Sequence, residues 1–252
     1  MTRRSYVKNS RAKNNHNTKI IPKINIKKAL PKIKKRGFIK SKRKGDTGVG
    51  YTLEYILGIK ENNKRNHDFT YQSKLVEAKA QRIGTSSDLT LFTKEPSIRI
   101  FKDVQLMKKY GYVDKKRRLA LKDTCVYQQF NQRGLRLQVS ISRKFIEIRD
   151  KKKNLVWRWL SKDIVFKFRN LLLVFASRRI KKGREYFHYE KAYYLQNFNE
   201  KRFLKLIRDK VLVIDLRMHL KSNGKSRNRG TAFRIRDVPK LKNCYKKVER
   251  IL

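Results

Sequence analysis

Acidic residues are scarce in this chain: 20 Asp and Glu stand against 68 Lys and Arg in 252 residues, a formal net charge of +48. Self-repulsion on that scale works against a compact isolated domain, so the composition points to a polyanionic partner, with nucleic acid first. Cysteine is almost missing. Cys125 and Cys244 lie far apart with no Cys or His at zinc-ligand spacing, which excludes a disulfide framework and a structural zinc site. Long apolar runs are lacking too: the longest, near Leu171 to Ala176, falls far short of the ~20 residues of a membrane span. With no signal-peptide apolar core either, the expected location is cytoplasmic.

A core is not lacking. The chain is 39% hydrophobic and 11% aromatic, enough to exclude wholesale disorder. Residues 1 to 45 stand apart because they hold no acid and are crowded with Lys, Arg and Asn. That texture predicts a mobile basic arm over residues 1–42, ahead of one folded unit over 43–252.

Beyond the arm, Leu53, Ile56 and Leu57 share a helical face and predict a short helix from about Gly50 to Gly58. Alternation from Leu75 to Arg82 predicts a strand, and Leu89 to Thr93 the next. Leu135 to Ile141, Phe145 to Arg149 and Leu155 to Leu160 alternate around a turn at Asp150 to Asn154, the pattern of a β-meander. A helix near Ser161 to Asn170, strands at Leu171 to Arg178 and Tyr186 to Leu195, and a helix at Asn199 to Ile207 follow. Strands at Val211 to Leu220 and Thr231 to Arg236 flank a basic, Gly-containing loop, Lys221 to Arg229. The expected class is α+β with a mixed sheet.

Hydrolysis of a phosphodiester requires an activated water, a neutralised phosphate and a stabilised leaving oxygen, and carboxylates that hold a hard divalent cation supply most of this. Glu77-Ala78-Lys79 on a strand sets a carboxylate and an ammonium on one face, about 7 Å apart along the chain. Asp68 lies upstream across a turn-rich stretch. An exposed Glu and Lys at this spacing are ordinarily a surface pair, so Glu77 and Lys79 by themselves decide nothing.

The surroundings carry more. The run Lys42-Arg43-Lys44-Gly45-Asp46-Thr47-Gly48-Val49-Gly50-Tyr51-Thr52-Leu53-Glu54, then Asp68-Phe69, Glu77-x-Lys79, Leu89 to Lys94 and Gly230 to Ile235, resembles in order the motifs of the MvaI/BcnI restriction endonucleases. The resemblance spans about Lys42 to Arg236 and is thin between Ser97 and Leu135. It implies a restriction-endonuclease-like, MutH-like fold with a mixed sheet flanked by helices. It further implies a monomeric Mg²⁺-dependent enzyme that cuts one strand of double-stranded DNA at a time within a short site. By motif, Asp68 and Glu77 would bind metal, Lys79 would orient or deprotonate water, and Glu54 would support the metal shell. The catalytic part would span about 43–100 and the DNA-recognition part about 100–240.

Two departures leave alternatives open. The interval from Asp68 to Glu77 is several residues longer than the family's pattern, so either a longer hairpin intervenes or another residue, with His67 and Glu61 nearby, takes the place of Asp68. Where relatives carry histidines, this chain has Arg227-Asn228-Arg229; Arg and Asn read guanine and adenine edges, yet a basic loop equally serves phosphates. With Lys44, Arg217 and Arg234 they form the candidate DNA contacts. His16, His188 and His219 lack metal-ligand spacing, and the aromatics from Tyr186 to Tyr194 read as core rather than base platforms. A restriction role implies a cognate DNA methyltransferase in the same system with no stable complex; a MutH-like repair nickase and a catalytically silent DNA-binding protein are the rival readings.

Overall fold

The computed structural model describes residues 21–60, 67–165 and 168–252. In chain order the elements are α1 (Ile26–Lys35), β1 (Ile39–Lys40), α2 (Gly48–Ile56), β2 (Phe69–Tyr71), β3 (Lys74–Arg82), β4 (Leu89–Thr93), β5 (Ile98–Arg99), α3 (Asp103–Tyr110), β6 (Tyr112–Val113) and β7 (Leu119–Cys125). Then come β8 (Leu135–Ser140), β9 (Phe145–Asp150), β10 (Leu155–Leu160), α4 (Lys162–Val165), β11 (Asn170–Lys181), β12 (Arg184–Phe198) and α5 (Glu200–Arg208). The chain closes with β13 (Leu212–Leu220), β14 (Ser226–Asn228), β15 (Ala232–Ile235), a 3-10 turn at Val238–Cys244 and β16 (Tyr245–Arg250). The class is α+β.

Three sheets form. The first runs β1-β12-β11-β3-β2 with β16 on the far side of β12; β11 is parallel to β3 and antiparallel to β12. The second is the meander β5-β10-β9-β8, and the third runs β4-β15-β13-β7-β6 with β14 on β13. The first sheet is covered on both faces. Leu172 and Val174 of β11 pack with Leu30, Leu53 and Tyr189 in one core, while Leu171 and Leu173 join Trp157, Trp159 and Phe233 in the other. A strand buried on both sides cannot alternate polar and apolar residues, which explains the unbroken apolar run from Leu171 to Ala176.

One expectation needs correction. The basic arm does not extend to residue 42: α1 is a folded helix with Asn25 Oδ1 accepting from the Lys28 N–H at its start, and Ile26, Leu30 and Ile33 are buried against the first sheet. Each such side chain contributes about 1.5–3 kcal/mol on burial. Intervals of four and three residues put the three on one helical stripe, a pattern hidden among lysines that face solvent. β1 then pairs with β12, Ile39 opposite Phe187. Residues 1–20, with His16, and Glu61 lie outside the described residues.

Nor do the sheets divide the chain near residue 100. The sheet that carries Glu77 and Lys79 takes β11, β12 and β16 from the second half, and β4 from the first half edges the third sheet. Both cysteines are free and buried; burial pushes the Cys244 thiol up to about 12, despite the nearby Arg202. No helix of the described residues is long and apolar enough to cross a membrane.

Candidate active site and DNA interface

Asp68 is brought alongside β3 by the tightest kind of hairpin. Phe69 pairs with Val76 and Tyr71 with Lys74, leaving Gln72 and Ser73 as a two-residue turn with φ of 49° and 59°. Positive φ at both positions is the primed turn whose twist matches two antiparallel strands. Just beyond that register the Asp68 N–H donates to the Val76 carbonyl at 3.1 Å, which holds Asp68 at the open end of the hairpin beside β3. The long interval is therefore filled by the hairpin itself.

β2 ends there, so β3 has an open edge from Ala78 onward. Asp68 Oδ2 reaches over it and accepts from the Ala78 N–H at 2.7 Å. Lys79 Nζ donates to Glu77 Oε1 at 2.7 Å; the Glu77 side chain is 3% exposed and that of Lys79 21%. Burial pulls the Lys79 pKa down, but Glu77, then Asp68 and Glu54, outweigh it, and the net direction is up. Lys79 is thus an ammonium paired with Glu77 and further favoured by the charges of Asp68 on the hairpin and Glu54 on α2.

Glu54 comes from α2, and the Gly-rich motif explains how that helix is seated. The Lys42 N–H donates to Thr52 Oγ1 at 2.9 Å, and Ser41 Oγ donates to the Arg43 carbonyl at 2.6 Å, so the loop folds back over the helix start. A Cβ on Gly48 would stand 2.6 Å from the Arg43 carbonyl oxygen, and only glycine allows that approach. Arg43 stacks on the Tyr51 ring at 3.8 Å and Lys42 on Tyr55 at 4.7 Å, while Lys44 is exposed.

The open edge of β3 faces β4, and between them lies a cleft of about 480 Å³. Glu54, Asp68, Lys79 and Arg82 line one wall; Asp88, Thr90 and Arg234 line the other. Glu77 sits behind Lys79, within the sheet. Among the described residues no group of three His, Cys, Asp or Glu could hold a metal ion unaided. A closed cage is not what Mg²⁺ requires, since it takes one or two carboxylates and completes its shell with waters and phosphate oxygens. Asp68 and Glu77 fit that donor set.

The candidate DNA residues fall into two groups. Arg227 and Arg229 are exposed on the β14 strand and its following turn, as Lys44 is on its loop. Arg217, Asn228 and Arg234 are already engaged. Arg217 donates to the carbonyls of Arg229 at 3.1 Å and Gly230 at 3.3 Å, and burial, with Arg234 and Arg229 adding to it, lowers its pKa. Asn228 accepts from the Gly230 N–H at 2.8 Å and donates to Asp103 at 3.2 Å. Arg234 donates to Asp215 Oδ2 at 2.7 Å and to the Asp88 carbonyl at 2.9 Å.

Asp215 escaped the sequence reading. Its other oxygen accepts from Thr124 Oγ1 at 2.7 Å, so it links β7, β13 and β15 on the face that carries Arg234 into the cleft. The pattern was available: Asp215, Arg217 and His219 alternate with Ile214, Leu216 and Met218, a half-polar strand. His219 is buried and pairs with Arg227 across the ladder, and His188, on β12 of the first sheet, lies against Phe38.

The MvaI/BcnI restriction endonuclease model matches residues 27–245. This chain belongs to that family. The match begins within α1, in keeping with a folded helix there. The structure of restriction endonuclease MvaI with its cognate DNA substrate resembles the chain with a TM-score of 0.75 at 24% identity, covering 90% of this chain and 97% of that one. MvaI in the absence of DNA gives 0.54 at 20% identity, covering 90% and 96%. At such identities the likeness is one of fold, and that fold is the restriction-endonuclease architecture expected from the motifs. No curated protein sequence matches the chain.

Proposed function

We propose that this member of the MvaI/BcnI family, a site-specific DNA endonuclease by its family, is a Mg²⁺-dependent enzyme that hydrolyses phosphodiesters of double-stranded DNA. The observation that carries the reading is Asp68 reaching over the open edge of β3 to Ala78 at 2.7 Å, beside the Glu77–Lys79 pair, at the wall of the cleft.

Asp68 and Glu77 would hold the cation, with Glu54 on the same cleft wall supporting the shell. A divalent cation bound there supplies charge neutralisation on the phosphate and makes water a better nucleophile near neutral pH. Lys79, kept protonated by its three carboxylates, acts as a cation toward the scissile phosphate and orients the attacking water by hydrogen bonding. Arg234, held by Asp215, meets the DNA from the third sheet, and Arg227, Arg229 and Lys44 contact the duplex from the exposed loops. Arg217 and Asn228 act as positioning residues that shape the 228–230 turn.

The chain acts as a monomer and cuts the two strands in separate events. One Asp68–Glu77–Lys79 set serves one strand per docking, and a +48 body resists association with its copy until DNA screens it. A cognate DNA methyltransferase protects the host without forming a stable complex. On supercoiled plasmid with Mg²⁺, open circles accumulate before linear product, and sedimentation without DNA gives a single 30.3 kDa species. Direct linearisation by a stable dimer, or full cutting in excess chelator, overturns the reading.

A further inference from the structure

The β11–β12 hairpin outruns the rest of its sheet. β11 keeps its parallel register with β3 up to Ala176 opposite Arg82, where β3 ends, and then continues to Lys181 before β12 returns from Arg184. Lys182 and Gly183, with φ of 49° and 66°, close the ribbon as another two-residue primed turn. Residues 178–184 are Arg-Arg-Ile-Lys-Lys-Gly-Arg, five cations without an acid, and all are exposed. Ile180, at the tip, is 59% exposed.

The base of this ribbon is tied to the cleft. Arg178 pairs with Glu185 at 2.7 Å, Glu185 with cleft-lining Arg82 at 3.3 Å, and Arg82 with Asp46 of the Gly-rich loop at 2.7 Å. On the opposite face Arg179 stacks on Phe38 at 4.5 Å. The anchoring groups thus consume Arg178 and Arg179, whereas Lys181, Lys182 and Arg184 have no acidic partner among the described residues. Arg178 and Ile180 alternate onto the face that carries Ala176 and, through Glu185, the cleft rim.

We propose that this tip is a flanking-duplex clamp: Lys181 and Arg184, which share the ribbon face opposite Ile180, and Lys182 in the turn hold phosphates outside the recognition site. The inference rests on the nuclease reading of the cleft. Three uncompensated cations on a rigid two-stranded ribbon match the charge and width of a duplex, whose grooves admit such a ribbon. Leu173 is level with Lys79, and Ile180 is seven residues farther along β11, about 23 Å at strand rise. At 3.4 Å per step the clamp reaches up to about seven base pairs from the cut phosphate.

The test compares duplexes centred on the mapped cut site whose flanks end about four or about ten base pairs away, bound without divalent cation at several salt concentrations. The wild-type chain should hold the longer duplex at least ~10-fold tighter, with a log K against log salt slope steeper by about 2.7 for three phosphate contacts. The Lys181→Gln, Lys182→Asn, Arg184→Gln variant should lose both differences and match the wild type on the short duplex. Asn suits the positive φ at position 182, and all three sites are exposed, so folding is retained and is checked by thermal melting. Equal wild-type affinity for both lengths on DNA that is still cut removes the clamp alone, as does a variant that keeps the length preference. A chain that binds neither duplex removes the nuclease reading as well.

Discussion

The two walls of the cleft each carry a 2.7 Å acid–base pair, and the pairs are built differently. Glu77 and Lys79 are two residues apart on one strand, with the carboxylate at 3% exposure. Asp215 and Arg234 come from neighbouring strands nineteen positions apart in sequence and are 11% and 29% exposed. Both carboxylates are largely buried, but Glu77 and Lys79 are fixed by one strand, whereas the Arg234 guanidinium, at the cleft wall and bridging two strands, can turn from Asp215 toward a base or a phosphate. The first arrangement suits chemistry on a phosphate and the second suits recognition.

The largest effect should come from breaking the buried pair. Glu77→Gln and Lys79→Ala each slow single-turnover cleavage by roughly 10³-fold, while duplex affinity without metal stays within a few-fold of wild type. Retained cleavage in either variant would erase the functional distinction between the walls.

Next comes the pair that bridges two strands. Asp215→Asn frees Arg234 from its carboxylate partner, and the preference for a cut-site duplex over a scrambled one should fall by about 1–3 kcal/mol, roughly 5- to 150-fold, as for loss of one bidentate base contact. Competition binding measures it. An unchanged ratio accompanied by slower cutting would move Asp215 to the catalytic side of the comparison.

Gly230 sharpens the role of the turn between Arg217 and Thr231. Its φ is +80° and a Cβ would meet the Thr93 Cβ at 2.9 Å, whereas Gly224, at +72°, faces open space. Gly224→Ala should cost about 1 kcal/mol in urea unfolding. Gly230→Ala should cost a further 1–2 kcal/mol or so, because backbone strain and overpacking add. Equal costs would mean that Thr93 yields freely.

The smallest effect concerns pH. Burial first, then Arg118, Lys122 and Arg227, lower the His219 pKa against a small opposing pull from Asp114. A depressed histidine contributes stability that is complete above its unfolded value of about 6.5 and is lost as pH falls through the lower folded value. Replacing His219 with Gln should therefore flatten part of the loss of stability on the acid side and leave the neutral plateau in place. Denaturant midpoints from pH 4 to 8 read the difference, and identical acid limbs would exclude His219 as a contributor.

What could be read in advance follows the range of each interaction. β4 and β10 occupy the spans expected of them, and β3, β8, β9, β11, β12 and α5 agree to within a few residues, because each carries its own period or turn residues. The β7 strand, α3 and the edge strands β5 and β6 were not legible; short edges bury too little for a pattern, and β7 gains its place only by pairing with β13. α1 was legible in principle, and its lysines masked an apolar stripe. At the site, Asp68, Glu77 and Lys79 were named from motif order, whereas Asp215 and the engaged states of Arg217 and Asn228 required strand neighbours that no local spacing reveals.

The amino-acid order by itself determined the charge that calls for a polyanion and the Glu77-x-Lys79 face, since composition and strand alternation are properties of the chain alone, whereas the need for glycine at 230 comes from its packing against distant Thr93. Tertiary structure decided that the Gln72-Ser73 turn brings Asp68 onto the edge of β3 at Ala78, that this open edge faces β4 rather than another strand, and that Lys79 pairs with Glu77 within the field of Asp68 and Glu54. Those outcomes depend on registers between segments distant in sequence. A single-residue slip would send each of these side chains to the other face of its sheet, and only the two buried cores, packed on either side of β11, prevent it.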